Sequence, residues 1–569
     1  MVRERVWLAV LLLASLGLYL VGNASVPLLD RDEPRYAQCS RQMLQSGDWV
    51  VPRLFDDIRA KKPPLIYWCQ ASVMWAIGDT AFAARLPSVL AVLCCAFLLA
   101  IFVWHHRSPE HAFWATLVFC SSALVIVAAK SSTTDGVRLL WIVIGEGCLY
   151  AIWRGNRSWS VALILAVAIS LELLTKGLIV FVLLSIILVL WAFRWLDHRR
   201  ATHAESEEPR RLGSPGPESE PSAYLRLGAV GRSAGLKPIA QLIVGLLIVV
   251  GIVGSWLYLV NQRSPMFLPT MWQEAMGHTL KGMEGHGGPP GMHLLFIWAD
   301  FLPWSLLLPA AIVIGWIHRG EPLTRFAMAA VIGPWLLVEL AIRTKLPQYM
   351  LPTFPALSLL TADAIVRGLR GDGPDFSSPQ FVGAARIWAG VIILIGLLPW
   401  LAAMRFSSLP WVVMSVVSAG AVVWGALVVA LLKRGRGRLG IAAIGIGMIC
   451  LTAMLYGLYL PRAQFLRLSI LAGDVLSQHG VTTPGQSLMI DYKEPSLAFY
   501  QGGTIREQDA SIIIHRHYDQ WKPWMIITRD VWNRSPADVQ NRLEIVADFR
   551  GLSVADAMRK VDVLVVRKR

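Results

Sequence analysis

A chain of 569 residues that is 55% hydrophobic and only 16% charged is too apolar for an ordinary soluble protein. Its apolar runs approach the roughly 20 residues that cross a bilayer, so the composition excludes a soluble enzyme and points to a mainly α, polytopic transmembrane protein. The net charge of +15 does not indicate nucleic acid, because the lysines and arginines lie scattered in short loops between hydrophobic spans, where they set orientation.

In chain order, Arg3-Glu4-Arg5 precedes an apolar run from Trp7 to Val21, too long for a signal-peptide core and read as an uncleaved first helix. About 13 spans follow from hydrophobicity. Their approximate limits are 6–22, 83–104, 111–129, 133–153, 158–174, 177–196, 239–260, 292–317, 322–343, 348–367, 384–404, 409–432 and 439–460. With the N-terminus cytoplasmic, the loops carrying Arg154 and Arg157, Arg199 and Arg200, Arg319 and Arg325, and Lys433 and Arg434 are cytoplasmic too.

The opposite loops are poor in cations except for segment 23–82, which carries Arg31, Arg35, Arg41, Arg53, Arg59, Lys61 and Lys62. Cations kept on the translocated side suit an anionic ligand. Within it, Pro34–Gln45 and the aromatic Pro64–Ile77 read as interfacial helices, and Cys39 and Cys69 could pair. Residues 197–237, polar and proline-containing, read as a flexible cytoplasmic linker. After Leu460 the composition becomes that of a soluble domain. Strand-like runs at Ser487–Tyr492, Trp524–Thr528, Leu543–Phe549 and Val561–Val566 predict a small α/β domain over 461–569, on the same side as the charged first loop.

Five polar motifs map to that face: Asp32-Glu33-Pro34-Arg35-Tyr36, Lys62-Pro63-Pro64, Thr133-Thr134-Asp135, Thr175-Lys176-Gly177 and Lys345-Leu346-Pro347-Gln348-Tyr349. Any one of them alone is an ordinary interface anchor. Together they predict a water-accessible cavity for a compound that is both lipid and anion, its phosphate held by Lys62, Arg35, Lys176 or Lys345, with Asp32 able to accept a proton from an attacking hydroxyl. A transporter or flippase of the same lipid would more often place its polar groups and broken helices near mid-bilayer. A non-catalytic lipid-binding protein would have less use for Asp32 and Lys62 together.

With Gly47-Asp48-Trp49, Ala84-Arg85-Leu86-Pro87, Leu174-Thr175-Lys176-Gly177, Leu351-Pro352 and Ser496-Leu497-Ala498-Phe499-Tyr500, these motifs resemble the family 39 glycosyltransferases, above all the bacterial aminoarabinose transferases that modify lipid A and, more distantly, the protein O-mannosyltransferases. The resemblance implies a GT-C fold over 1–460, a polyprenyl-monophosphate sugar donor, a glycolipid, glycan or protein acceptor, and inverting transfer outside the cytoplasmic membrane of a bacterium. It assigns Asp32 and Asp135 as active-site carboxylates and Lys62 as a phosphate ligand; Glu33, Tyr36, Tyr349 and Lys61 are the further candidates to contact substrate. Lys61 stands where those relatives carry a metal-site glutamate, a departure that bears on both metal binding and the lipid A acceptor and leaves no cofactor assigned as required; a cation there could replace the metal electrostatically. Glu284 and His286, with His278 and His293 nearby, are the candidates to hold a divalent cation such as Zn or Mg.

Overall fold

The computed structural model describes residues 2–29, 32–207, 236–277, 287–406, 410–492, 494–554, 556 and 558–569. Helix α1 (Val2–Leu20) leads into α2 (Glu33–Ser46) and α3 (Leu65–Ile77), the last two within two residues of their predicted limits. Pro34 suits the first turn of α2, where its missing N–H is no loss, and Gly47 ends it at φ +70°. The short hairpin Arg53–Leu54/Asp57–Ile58 between them has no hydrophobic pattern to announce it.

The bundle continues with α4 (Ala81–His106), α5 (Pro109–Ser121), α6 (Ala123–Lys130), α7 (Thr134–Trp153), α8 (Trp159–Leu173), α9 (Ile179–Glu207), α10 (Leu236–Val249), α11 (Ser255–Arg263), α12 (Phe267–Met276), α13 (Met292–Asp300), α14 (Leu308–Ile317), α15 (Pro322–Ala341), α16 (Phe354–Arg370), α17 (Pro379–Gly396), α18 (Leu398–Arg405), α19 (Trp411–Lys433) and α20 (Gly437–Met454). Among the described residues nine helical segments are long and apolar enough to span, or up to eleven if α5–α6, bent by 63°, and α13–α14, bent by 118°, each count once. Thirteen is reached only by adding the 19-residue α1, whose first turns are charged, and the 15-residue α8, so the expected count is not confirmed. Trp114, Phe119, Phe301, Trp304 and Phe354 fill the core, whereas α10 buries no side chain at all, as a helix facing lipid can afford to. The expected linker begins as helix, because α9 runs on to Glu207 and Asp197 meets Arg325 at 2.7 Å; residues 208–235 lie outside the described set.

The C-terminal domain is α/β as expected. Helices α21 (Leu468–Gln478) and α22 (Pro495–Gln501) cover a five-stranded sheet, in which Ser487–Ile490 pairs in parallel with Trp524–Thr528 and with Arg506–Gln508, a strand too short and polar to read from sequence. The domain is bolted to the first extramembrane segment. Arg41 of α2 donates to Phe499 O at 2.6 Å and lies 4.0 Å over its ring, Tyr500 Oη accepts from Leu28 N, and Arg506 pairs with Asp56. Cys39 and Cys69 are both free thiols, so the suggested pairing is not made.

Candidate active site

Asp32 is the residue before α2 and its side chain, 56% exposed, caps nothing; Arg35, one turn on, lies 4.0 Å away. The position of Asp32 is fixed by its neighbour. Glu33 is 4% exposed and receives a two-pronged Arg85 at 2.9 and 2.8 Å, together with the backbone N–H groups of Leu29 and Ser132. Arg85 spends its other donors on the carbonyls of Asn23, Val26 and Pro27. This knot ties the end of α1, the start of α2 and the 132 turn to α4, so Glu33, expected to touch substrate, is instead a strut. Glu33→Ala should therefore cost about 3–5 kcal/mol by leaving Arg85 buried and unpaired, seen as a large drop in melting temperature of the detergent-purified protein. A stability equal to wild type would remove the strut.

The loop into α3 presents Lys62. Pro63 and Pro64 fix its backbone, and Leu65 N donates to Leu174 O at 2.9 Å, which joins this loop to the Leu174-Thr175-Lys176-Gly177 turn. Behind it Arg59, 7% exposed, donates to Tyr67 Oη and lies over the Tyr36 ring, itself stacked on Tyr67. Tyr36 is thus buried wall, not the substrate contact expected. Lys62 is half-buried and makes no hydrogen bond or ion pair among the described residues. Burial, followed by the charge of Lys176, pulls its ammonium down to about 8, against the opposing pull of Asp32 and Asp135.

Asp135 opens α7 and is gripped by two cations, Lys176 Nζ at 3.0 Å and Arg138 Nη2 at 3.3 Å. Arg138 also donates to Gln348 O at 3.0 Å, and Lys176 Nζ lies 5.2 Å from the centre of the half-buried Tyr349 ring. The turn carrying Lys176 is built by Glu172. Its carbonyl accepts from Thr175, Lys176 and Gly177 while its carboxylate accepts from Leu178 and Ile179, and Gly177 at φ +86° supplies the left-handed residue the turn needs.

The structure thus gathers Asp32, Arg35, Lys62, Asp135, Lys176 and Tyr349 at one end of the bundle. Lys345 is at the same end but used differently. Its ammonium donates to the carbonyls of Val338, Glu339 and Ile342, closing the C-terminus of α15, and sits 3.4 Å from Glu339, so its three protons are taken and it is corrected from phosphate ligand to helix cap. His293, fully buried, bridges Glu339 and Leu346 O in the same clamp. Lys61 lies 3.8 Å from Glu274 of α12; an ammonium cannot ligate a metal, so the residues here do not fit a cation at that position. Glu284, His286 and His278 lie outside the described residues. Arg59, Arg138 and Glu172 escape a reading of motifs, although charged residues inside or beside an apolar run are themselves a signal.

Fold and site define a class: a polytopic membrane protein whose C-terminal α/β domain docks on the segment between α1 and α4, with a charged centre at one end of the helical bundle. The chain resembles the family 39 glycosyltransferases, as its motifs imply. Residues 6–205 match the model of the dolichyl-phosphate-mannose-protein mannosyltransferase family. An undecaprenyl phosphate-alpha-4-amino-4-deoxy-L-arabinose arabinosyl transferase of Yersinia enterocolitica is 30% identical over 352 residues, covering 60% of this chain and 56% of that one. A second, from Pseudomonas fluorescens, is 28% identical over 371 residues, 63% of this chain and 56% of its own. The chain therefore spans little more than half the length of these relatives. ArnT from Cupriavidus metallidurans bound to undecaprenyl phosphate shares the fold, with a TM-score of 0.72 at 19% identity over 98% of both chains. Its apo form gives 0.71.

Proposed function

We propose that this protein is a membrane glycosyltransferase that moves a sugar from a polyprenyl-monophosphate donor to an acceptor outside the cytoplasmic membrane, with inversion. One observation carries the reading: Lys62, a half-buried cation without a hydrogen-bond or ion-pair partner among the described residues, stands at the centre where Asp32, Asp135 and Lys176 act on its charge. An anionic head group is the partner such a cation lacks. The relatives' names support an undecaprenyl phosphate carrier, and the basic loops at the opposite end of the bundle support an orientation with this centre and the C-terminal domain outside the cytoplasm, in a bacterial inner membrane.

In the reaction an acceptor oxygen attacks the anomeric carbon as the bond from that carbon to the phosphate oxygen breaks, the electron pair staying on the phosphate. Charge on that oxygen grows in the transition state, where Lys62 lies ready to stabilise it. Asp135 holds Lys176 and Arg138, and through Arg138 the Gln348–Tyr349 backbone, so it acts as the keystone of the pocket. With a hydroxyl acceptor, the exposed Asp32 takes the released proton; with a lipid A-like phosphate, already ionised, it orients the donor. Lys61 supplies positive charge in place of a metal, anchored to Glu274.

Mass spectrometry of envelope glycolipids and glycoproteins from cells with and without the protein tests the reading. A sugar modification that disappears with the gene and returns with the wild-type chain is expected. Identical profiles, with polyprenyl-linked sugar redistributed across the membrane instead, would make it a lipid transporter.

A further inference from the structure

A second cavity lies at the far end of the bundle from the charged centre. Along α7, Asp135 and Arg154 are 19 residues apart, about 28 Å of helix. Around Arg154 a chamber of about 640 Å³ is lined by His105, His106, Arg107, Tyr150, Asn156 and Pro322, where α4 and α7 end and α15 begins. It continues into a deeper chamber of about 400 Å³, walled by Leu99, Val143, Phe326, Ala330 and Leu359, with Leu98 and Ile101 exposed on the outside of the bundle. Phe102, Gly147 and Leu323 line both.

Three features set this crevice apart from a packing gap. Glu146, 6% exposed, stands on the wall of the deep chamber with Oε1 lacking a hydrogen-bond partner, which a buried carboxyl rarely tolerates. Gly147, beside it where the chambers join, is open, since a Cβ built there meets no atom within 4 Å. The rim is cationic: Arg107 and Arg367 neutralise Glu321 and Asp363, whereas Arg154 has no partner among the described residues. His105 and His106 both turn Nδ1 back to carbonyls of their own helix, at Ile101 and Phe102.

We infer that this crevice binds one anionic phospholipid of the cytoplasmic leaflet, its phosphate at Arg154, one acyl chain in the deep chamber, and its ester region beside Gly147 and the unpartnered Glu146 carboxyl. A single amphiphile meets the cationic rim, the buried polar group and the apolar depth at once. Such a lipid would brace the inner ends of α4, α7 and α15, the helices whose outer ends carry Arg85, Asp135 and the Lys345 clamp.

Native mass spectrometry of the full-length protein in detergent, titrated with phosphatidylglycerol and with phosphatidylcholine as the neutral control, tests this. Wild type should retain one phosphatidylglycerol and release phosphatidylcholine. Gly147→Phe, which fills the junction, and Arg154→Glu, which reverses the rim charge, should each weaken phosphatidylglycerol retention by about tenfold or more at an unchanged melting temperature. Equal retention of both lipids by wild type, or wild-type retention by Arg154→Glu, would overturn the site. Should Gly147→Phe melt early, Arg154→Glu decides alone.

Discussion

Asp32→Asn is expected to lower sugar transfer by about 10²- to 10⁴-fold, the usual contribution of a positioned general base, while the protein folds and inserts as before. Folding is spared for a structural reason. The Asp32 side chain makes no cap hydrogen bond, and asparagine serves as well as aspartate before a helix, so α2 loses nothing. Transfer of radiolabelled sugar from the polyprenyl donor in membrane vesicles reads the activity, and melting in detergent reads the fold. Full activity would reject Asp32 as the essential carboxylate. A matched loss of melting temperature would assign it a structural role like that of Glu33.

Lys62→Ala should weaken binding of undecaprenyl phosphate by about 2 kcal/mol, roughly 30-fold in Kd, the typical worth of one charge-assisted contact. Its pH dependence distinguishes this lysine from the others. The free protein's Lys62 is a cation below about 8 and neutral above it. A bound phosphate favours the cation and raises that value, so binding above pH 8 takes up a proton and affinity falls with rising pH, by as much as tenfold per unit. Wild-type Kd should therefore be flat just below pH 8 and climb above it. Lys62→Arg, permanently charged, should bind without that rise. A rise that persists in Lys62→Arg would move the titrating group elsewhere.

Lys345 makes the contrasting case. Lys62 and Lys345 look alike in sequence, each a lysine ahead of a proline-containing turn at the same face. One has no hydrogen-bond or ion-pair partner among the described residues and the other is saturated by the carbonyls ending α15. Sequence spacing places both lysines and says nothing of which carbonyls they meet. Glu33 is similar: its carboxylate faces the same end as that of Asp32, yet Arg85, 52 residues away, consumes it.

The sequence by itself determined the membrane class, the two short helices between α1 and α4, the α/β character of the last hundred residues and the gathering of the charged motifs at one end. These follow from hydrophobic period and from where charged residues interrupt it, both local properties of the chain. Only the tertiary structure decided which charges hold the fold and which remain for a ligand. That division depends on partners brought together across long stretches of chain, as when Arg138 reaches Gln348 over 210 residues, and in a low-dielectric setting the presence or absence of such a partner separates a strut from a binding group.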